Sequence, residues 1–465
     1  MASRRDLIQG YQFAARRVVS AVVMRQTDPT EWPFRRLGGA GFGSLMMAII
    51  ALAAVGIYGM IVPGGKTSWK DGKTVVVEKE TGASYVYYKG KLHPAYNFTS
   101  AALVVGSNHI TSTAHSSLVD VPRGVEVGIS GAPDSVPPED KLMLPPWSFC
   151  TRQEPDRTTG KLVNVSSLVA GERPGRGDRP GRSALLVTDT ADRSQHIIWH
   201  DQRYTITDPN IVRVALRLDN EVNVPVGDAW LKALPQGRDI GPMETAGSGA
   251  SHAVPGESVG IGDVVSVQTQ DKGKEYYLAG SDSMVPISEL QAQIQEAAGA
   301  DVQPVSPGAA TDANKTTPPQ FNAQQPPATR PDFIRPIDSN TTVCAAYRNN
   351  SFAPQILVNS TTPRGGGLPT ERMSAGGTTL ADRVWLPPGK AALVESMPSP
   401  KAKTGPLYLV TDQGRRYAIP SPDALRALGY TGKHLSKLPA SLLVRVPEGP
   451  ALDPDAARAA LAVDE

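Results

Sequence analysis

The chain has 465 residues and is almost electrically balanced, with 47 Lys and Arg against 45 Asp and Glu. That balance, with basic residues largely scattered, predicts no footprint of a nucleic-acid binder, and the length leaves room for two or three domains. With 44 Gly, 41 Pro and only 6% aromatic residues, a long all-helical bundle is excluded as well, in favour of short strands and frequent turns.

The first element is an amphipathic helix. Leu7, Ile8, Tyr11, Ala14, Ala15, Val18, Val19, Val22 and Val23 recur at intervals of three and four, which builds one apolar face. Arg4, Arg5, Arg16, Arg17 and Arg25 supply the polar side. Such a helix suits either an anionic inner leaflet or the cytoplasmic domain of a partner. After it comes the charge-free run LGGAGFGSLMMAIIALAAVGIYGMIVPGG, the one stretch with the roughly 20 apolar residues that a bilayer crossing needs. The arginine excess in front of it marks the cytoplasmic end, so the chain from about Pro63 onward is expected outside. Ala51-Leu52-Ala53 satisfies the small-residue rule for signal cleavage. It sits in mid-run behind an arm longer than a signal's basic region, so an uncleaved anchor is expected. Gly39 and Gly43, spaced by four, permit close packing against a neighbouring span.

Four segments beyond the run resemble one another. Each reads as a strand, a tight Gly or Asp turn, a second strand and the start of a short helix: YVYYKGKLHP from Tyr85, HIIWHDQRYTIT from His196, YYLAGSDSMVP from Tyr276 and LYLVTDQGRRYAIP from Leu407. Helical patterns follow at 208–218, 287–297 and 421–428, with Ser421 and Asp423 suited to a helix start. One such unit is too small to bury a core alone, so the second is expected to pair with the third and the first with the fourth. The only two cysteines, Cys150 and Cys344, fall on the outer side, where thiols oxidise, so a disulfide is expected. It would make neighbours of WSFC and TVCAAYRN and turn all that lies between into an insertion. Residues 302–332, rich in Pro, Gln, Ala and Thr, and residues 173–182 (RPGRGDRPGR) read as flexible or extended loops, the RGD triplet as chance.

Motifs with catalytic overtones fail in context. Gly256-Glu257-Ser258-Val259-Gly260 matches a nucleophile elbow, but a loop precedes it and a strand follows, the reverse of what that serine needs. Gly65-Lys66-Thr67 ends like a P-loop, yet Met60 stands where the first glycine is required. His196 and His200 would be about 13 Å apart on a strand, too far for one ion, so packing or surface roles are expected. Asn97-Phe98-Thr99 and similar sequons read as incidental composition.

The opening RRDLIQGYQFAARRVVSAVVMRQTDPTEWPFRR, the single span, the GISGAPDSVP…WSFC passage, the paired cysteines and VWLPPGKAALV together resemble the EccB family, a core membrane component of type VII (ESX) secretion systems. The resemblance covers essentially the whole chain. It implies a structural subunit that anchors and oligomerises through its extracytoplasmic domain to support protein export. The implied partners are EccC, EccD and EccE type subunits, a nearby mycosin protease and other copies of the same ectodomain, with no nucleic acid. Family members have been described as ATPases, which would make the chain an extracytoplasmic ATPase, but no catalytic, cofactor-binding or metal residue can be assigned for it; the FtsK-like EccC is the more natural energy source. The repeats also resemble a cell-wall-binding phage lysin subunit, which implies contact with peptidoglycan.

The expected architecture is a single-pass membrane protein with an elongated α+β ectodomain, a central mainly-β domain and four strand-turn-strand-helix modules. It divides into a cytoplasmic arm (1–36), the transmembrane helix (37–62), a stalk (63–82), module 1 (83–120), the leading half of the central domain (121–183), module 2 (184–244), module 3 (245–300), the returning half of the central domain with the Pro/Gln-rich loop (301–404) and module 4 (405–465).

Overall fold

A computed structural model of the chain describes residues 3–25, 35–61, 67–156, 158–271, 273–316, 325–338, 340–348, 351–363 and 367–463. Val62 and the Gly65-Lys66 pair, and residues 317–324 of the Pro/Gln-rich segment, lie outside them. The described residues form two units, one of 1–68 with 113–120 and one of 69–112 with 121–465.

In the first unit, helix α1 (Arg4–Met24) starts on a capping box: Ser3 accepts from the Asp6 N–H, and the Asp6 carboxylate accepts from the Ser3 N–H at 2.9 Å. Helix α2 (Arg35–Ile61) carries the apolar run, and its stretch Gly38–Tyr58 has a mean hydropathy of 2.2 over 21 residues. At 1.5 Å per residue that stretch is about 31 Å long, the thickness of a hydrocarbon core.

The second unit is sheet-rich. The first sheet holds β1 (Val75–Glu78), β2 (Ser84–Tyr88), β3 (Lys91–Pro94) and β4 (Ile110–Thr113) in the order β3-β2-β1-β4, with α3 (Phe98–Val105) between its last two strands. Lys89 and Gly90 both have positive φ, as a two-residue hairpin of the twisted kind requires. Next come the long strands β5 (Trp147–Pro155) and β6 (Leu162–Ala170) of the central sheet. The second four-stranded sheet contains β7 (Leu185–Asp189), β8 (Gln195–Trp199), β9 (Gln202–Thr205) and β10 (Asn223–Val226), with α4 (Pro209–Leu216) before β10 and α5 (Asp228–Ala233) after it. The third contains β11 (Val264–Thr269), β12 (Gly273–Ala279), β13 (Met284–Ile287) and β14 (Val302–Val305), with α6 (Glu289–Ala297) before β14 and α7 (Pro307–Asp312) after it.

The chain then returns to the central sheet through β15 (Val343–Tyr347), β16 (Gln355–Leu357), β17 (Leu368–Pro369) and β18 (Arg383–Trp385), giving the order β16-β15-β5-β6-β18-β17. The fourth four-stranded sheet is β19 (Ala391–Met397), β20 (Leu407–Thr411), β21 (Arg416–Ile419) and β22 (Leu435–Pro439), with α8 (Pro422–Ala427) before β22 and then α9 (Ala440–Leu443) and α10 (Pro454–Arg458). The second, third and fourth sheets each close with a strand parallel to their first.

Strand alternation shows how the sheets are joined. Along β19, Ala391 and Leu393 enter one core with Val86 of the first sheet and Leu103 of α3, while Ala392 and Val394 enter another with Phe149 and Leu168 of the central sheet. Successive strand residues point to opposite faces, so both faces of the fourth sheet are covered. Along β7, Leu185 and Val187 face the central core, and Leu186 joins Val212, Leu216, Leu290 and Ile294 from α4 and α6. The first and fourth sheets therefore share a core, and α6, beside the third sheet, shares one with the second.

Several expectations need correction. Residues 63–82 read as a stalk in sequence, yet β1 is an inner strand of the first sheet. The central domain is expected to run through residue 404, but β19 pairs with β20 and β22 in the fourth sheet. Each four-stranded sheet has an additional leading strand and a closing one, so a hairpin and helix account for only some of it. The segment 302–332 begins with β14 and α7 rather than as a loop, because Val302 to Val305 find partners on β11. Residues 173–182 are pinned by backbone hydrogen bonds; Asp178 exchanges two with Val358, at 2.7 and 2.9 Å.

Candidate functional site

Cys150 and Cys344 stand directly opposite each other on β5 and β15, and they form the disulfide. It lies in the middle of the central sheet, and both residues are buried. The insertion it closes contains the second and third sheets. Around it the packing is aromatic: the Trp230 indole N–H donates to the Phe149 carbonyl at 2.9 Å, and the Tyr347 hydroxyl donates to the Ala233 carbonyl at 3.1 Å. These two bonds tie α5 to the central sheet, and complete burial pushes the Tyr347 phenol far above its ordinary range.

A second cluster escapes the sequence reading. Parallel pairing of β10 with β7 sets Val226 beside Asp189, which brings Asp228 at the start of α5 close to Asp189 at the end of β7. Asp189 is only 2% exposed, accepts from the Ala191 N–H at 2.8 Å and has the Asp228 carboxylate as a neighbouring charge. Burial, reinforced by that carboxylate, pushes the Asp189 carboxyl up to about 6. Burial also acts against ionised Asp228, but Lys232 at 2.7 Å and the Thr379 hydroxyl outweigh it and hold its carboxyl below the usual range. The Thr379 carbonyl in turn accepts from Arg445 at 2.7 Å. The chain before β18, the second sheet and the turn after α9 thus meet at one buried acidic junction. Its only trace in the sequence is an acid closing the apolar strand LLVTD.

The expected arm residues lie on α1. At about 100° per residue, Arg16 and Arg17 fall off the apolar stripe, Arg5 shares the angle of Val23 at its margin, Arg4 falls within it at the N-terminal end and Arg25 is the C-cap, so the polar side is narrower than expected. Phe13, absent from the expected face, is exposed under the Arg17 guanidinium at 5.7 Å. The stripe itself is open: Leu7 is 67% and Tyr11 78% exposed. On α2, a Cβ added at Gly39 or Gly43 would meet nothing within 4 Å.

Buried His196 pairs with the Ser194 hydroxyl at 2.9 Å, and burial lowers its imidazole pKa, while His200 stacks on Trp199 in a turn. Ser258 is exposed in a loop ahead of β11. Asn97 caps α3 through the Ser100 N–H, and its amide donates to the Ile129 carbonyl, so this sequon is occupied internally.

A family model described as the type VII secretion system ESX-1, transport TM domain B, matches residues 1–463. The chain belongs to this EccB family. It is a membrane component of a type VII secretion system. Curated relatives include the ESX-2 secretion system ATPase EccB2 of Mycobacterium tuberculosis, 28% identical over 98% of this chain and 94% of that protein. The ESX-3 secretion system ATPase EccB3 of Mycolicibacterium smegmatis is 26% identical over 96% and 89%. Among solved structures, an EccB3 dimer from the ESX-3 core complex aligns with a TM-score of 0.57 and 25% identity, covering 83% of this chain and 99% of the other. The intact ESX-5 inner membrane complex contains a chain of the same fold, with a TM-score of 0.57, 24% identity and 98% and 95% coverage.

Proposed function

We propose that this EccB-family chain is a single-pass scaffold of its secretion complex, with α1 in the cytoplasm, α2 across the membrane and the four sheet modules outside. The observation that carries this reading is the family match over nearly the whole chain, spanning the one helix apolar and long enough to cross a bilayer among the described residues. Arginines ahead of α2 support the orientation. The four four-stranded sheets are repeats of one module, paired first with fourth and second with third. Ectodomains associate with one another, and EccC, EccD and EccE type subunits gather around the anchor, with α1 and the glycines of α2 as contact surfaces.

The deciding experiment is extraction of a tagged copy in gentle detergent, followed by identification of co-purifying proteins. Recovery with other secretion subunits is expected; recovery as a lone monomer would sink the proposal. A protease added outside intact cells should remove the C-terminal domain and spare α1, and the reverse would overturn the orientation.

A further inference from the structure

Residues 173–182 carry four arginines three residues apart, and the structure holds their backbone in place along one edge of the central sheet. The Gly175 N–H donates to the Thr361 carbonyl at 3.0 Å, and the Asn359 amide donates to Asp178 at 2.7 Å. Glycine is needed where the strap lies against the sheet: a Cβ at position 175 would come within 1.9 Å of the Thr361 hydroxyl, and one at 177 within 2.8 Å of the Val358 carbonyl. Arg173, Arg176 and Arg179 are exposed, and with Arg348 at the end of β15 they line a cleft of 230 Å³. A second cleft of 110 Å³ shares Arg179 and Gln355 with the first and reaches His200 and Asp201.

The charges there are poorly compensated. Asp178 is committed to Asn359, and Asp201, the one acid lining either cleft among the described residues, accepts from the Ile356 N–H at 2.9 Å, so a single carboxylate faces four arginines. Four guanidinium groups around one small cleft repel one another unless an anion fills it. A carboxylate occupies one fork, whereas a phosphate offers more acceptor oxygens and more charge, enough for forks from several arginines. Because the backbone is already fixed, little ordering entropy opposes binding.

We propose that this arginine-lined cleft binds the phosphate groups of an anionic ligand. The test uses the full chain in neutral detergent, titrated with inorganic tripolyphosphate, with phosphatidylcholine vesicles with or without phosphatidylglycerol, and with a penta-glutamate peptide. Tripolyphosphate should bind more weakly as salt rises, and R173Q/R176Q/R179Q should weaken it by about tenfold or more without moving the thermal midpoint of the unliganded chain. R173K/R176K/R179K, which keeps the charge but loses the forks, should fall between the two and guards against misfolding of the first variant. Vesicle binding that needs both phosphatidylglycerol and these arginines would assign a lipid headgroup; tripolyphosphate binding without it would assign a soluble phosphate ligand. Equal binding by wild type and the Gln variant, binding to neither phosphate source, or penta-glutamate bound as tightly as tripolyphosphate would overturn the proposal.

Discussion

The two N-terminal helices and the sheet-rich unit use apolar side chains in opposite ways. Along α1 and α2 the large apolar residues are exposed, Val22 at 77% and Leu52 at 73%. In the second and fourth sheets they are buried on both faces, and β19 has no exposed position. Burial of apolar surface is the main driving force for folding and association alike. The sheet unit has therefore committed its apolar surface to its own stability, while the helices hold theirs for lipid or another chain. Substitutions in the first region should damage assembly without unfolding, and substitutions in the second should unfold the domain.

The largest expected effect is removal of the disulfide. C150A/C344A releases a sequence separation of 194 residues, which the chain-entropy model values at about 5 kcal/mol; denaturant titration of the purified chain should show a correspondingly lower midpoint. Next is Trp230→Ala, which empties a fully buried site and strips the Phe149 carbonyl of its donor. A loss of about 3–5 kcal/mol is expected, and an unchanged unfolding midpoint would break the claim that α5 is locked to the central sheet.

Asp189→Asn should act the other way and depend on pH. Since folding raises the carboxyl from 3.8 to about 6, the folded state binds this proton more tightly than the unfolded one. Its stabilising contribution is complete below the unfolded value and is lost as pH rises through about 6. An amide cannot ionise and so escapes that loss, and the variant should melt about 2–4 °C higher than wild type at pH 7.5. The difference should shrink by pH 5. A gain that is the same at both pH values would show that folding does not raise the Asp189 carboxyl. The smallest effect on stability belongs to Gly39→Leu, since open space surrounds that position in the chain itself. It should leave the melting curve unchanged while weakening recovery of the complex, by roughly fivefold if about 1 kcal/mol of helix packing is lost.

What was legible in the sequence is what local pattern encodes. The apolar run, the period of α1, the four hairpins with their turns and the two cysteines all announce themselves within a few residues. The closing strands do not. Asn223 to Val226 contains a proline and Leu435 to Pro439 is mixed in polarity; each is a strand only because a partner, β7 or β19, lies alongside. Strand β19 misleads for a different reason: a run buried on both faces has no alternation to read, so its membership in the fourth sheet depends on tertiary pairing. The strap at 173–182 has the composition of a flexible loop, and its order comes from hydrogen bonds to a segment some 180 residues away. The Asp189–Asp228 pair is similarly invisible, because parallel pairing creates it from residues far apart in the chain.

The strap has one more consequence, for solubility. An exposed edge strand offers unpaired backbone groups to any other strand that arrives, and is a route to aggregation. Past the end of β16 that edge is already occupied, since Val358 exchanges both its N–H and its carbonyl with Asp178. At the opposite edge β17 is two residues long and ends in Pro369, which has no N–H to offer. The six-stranded central sheet is thus guarded at both margins, by a borrowed backbone on one side and a missing donor on the other, so many copies can crowd together with little risk of their central sheets fusing.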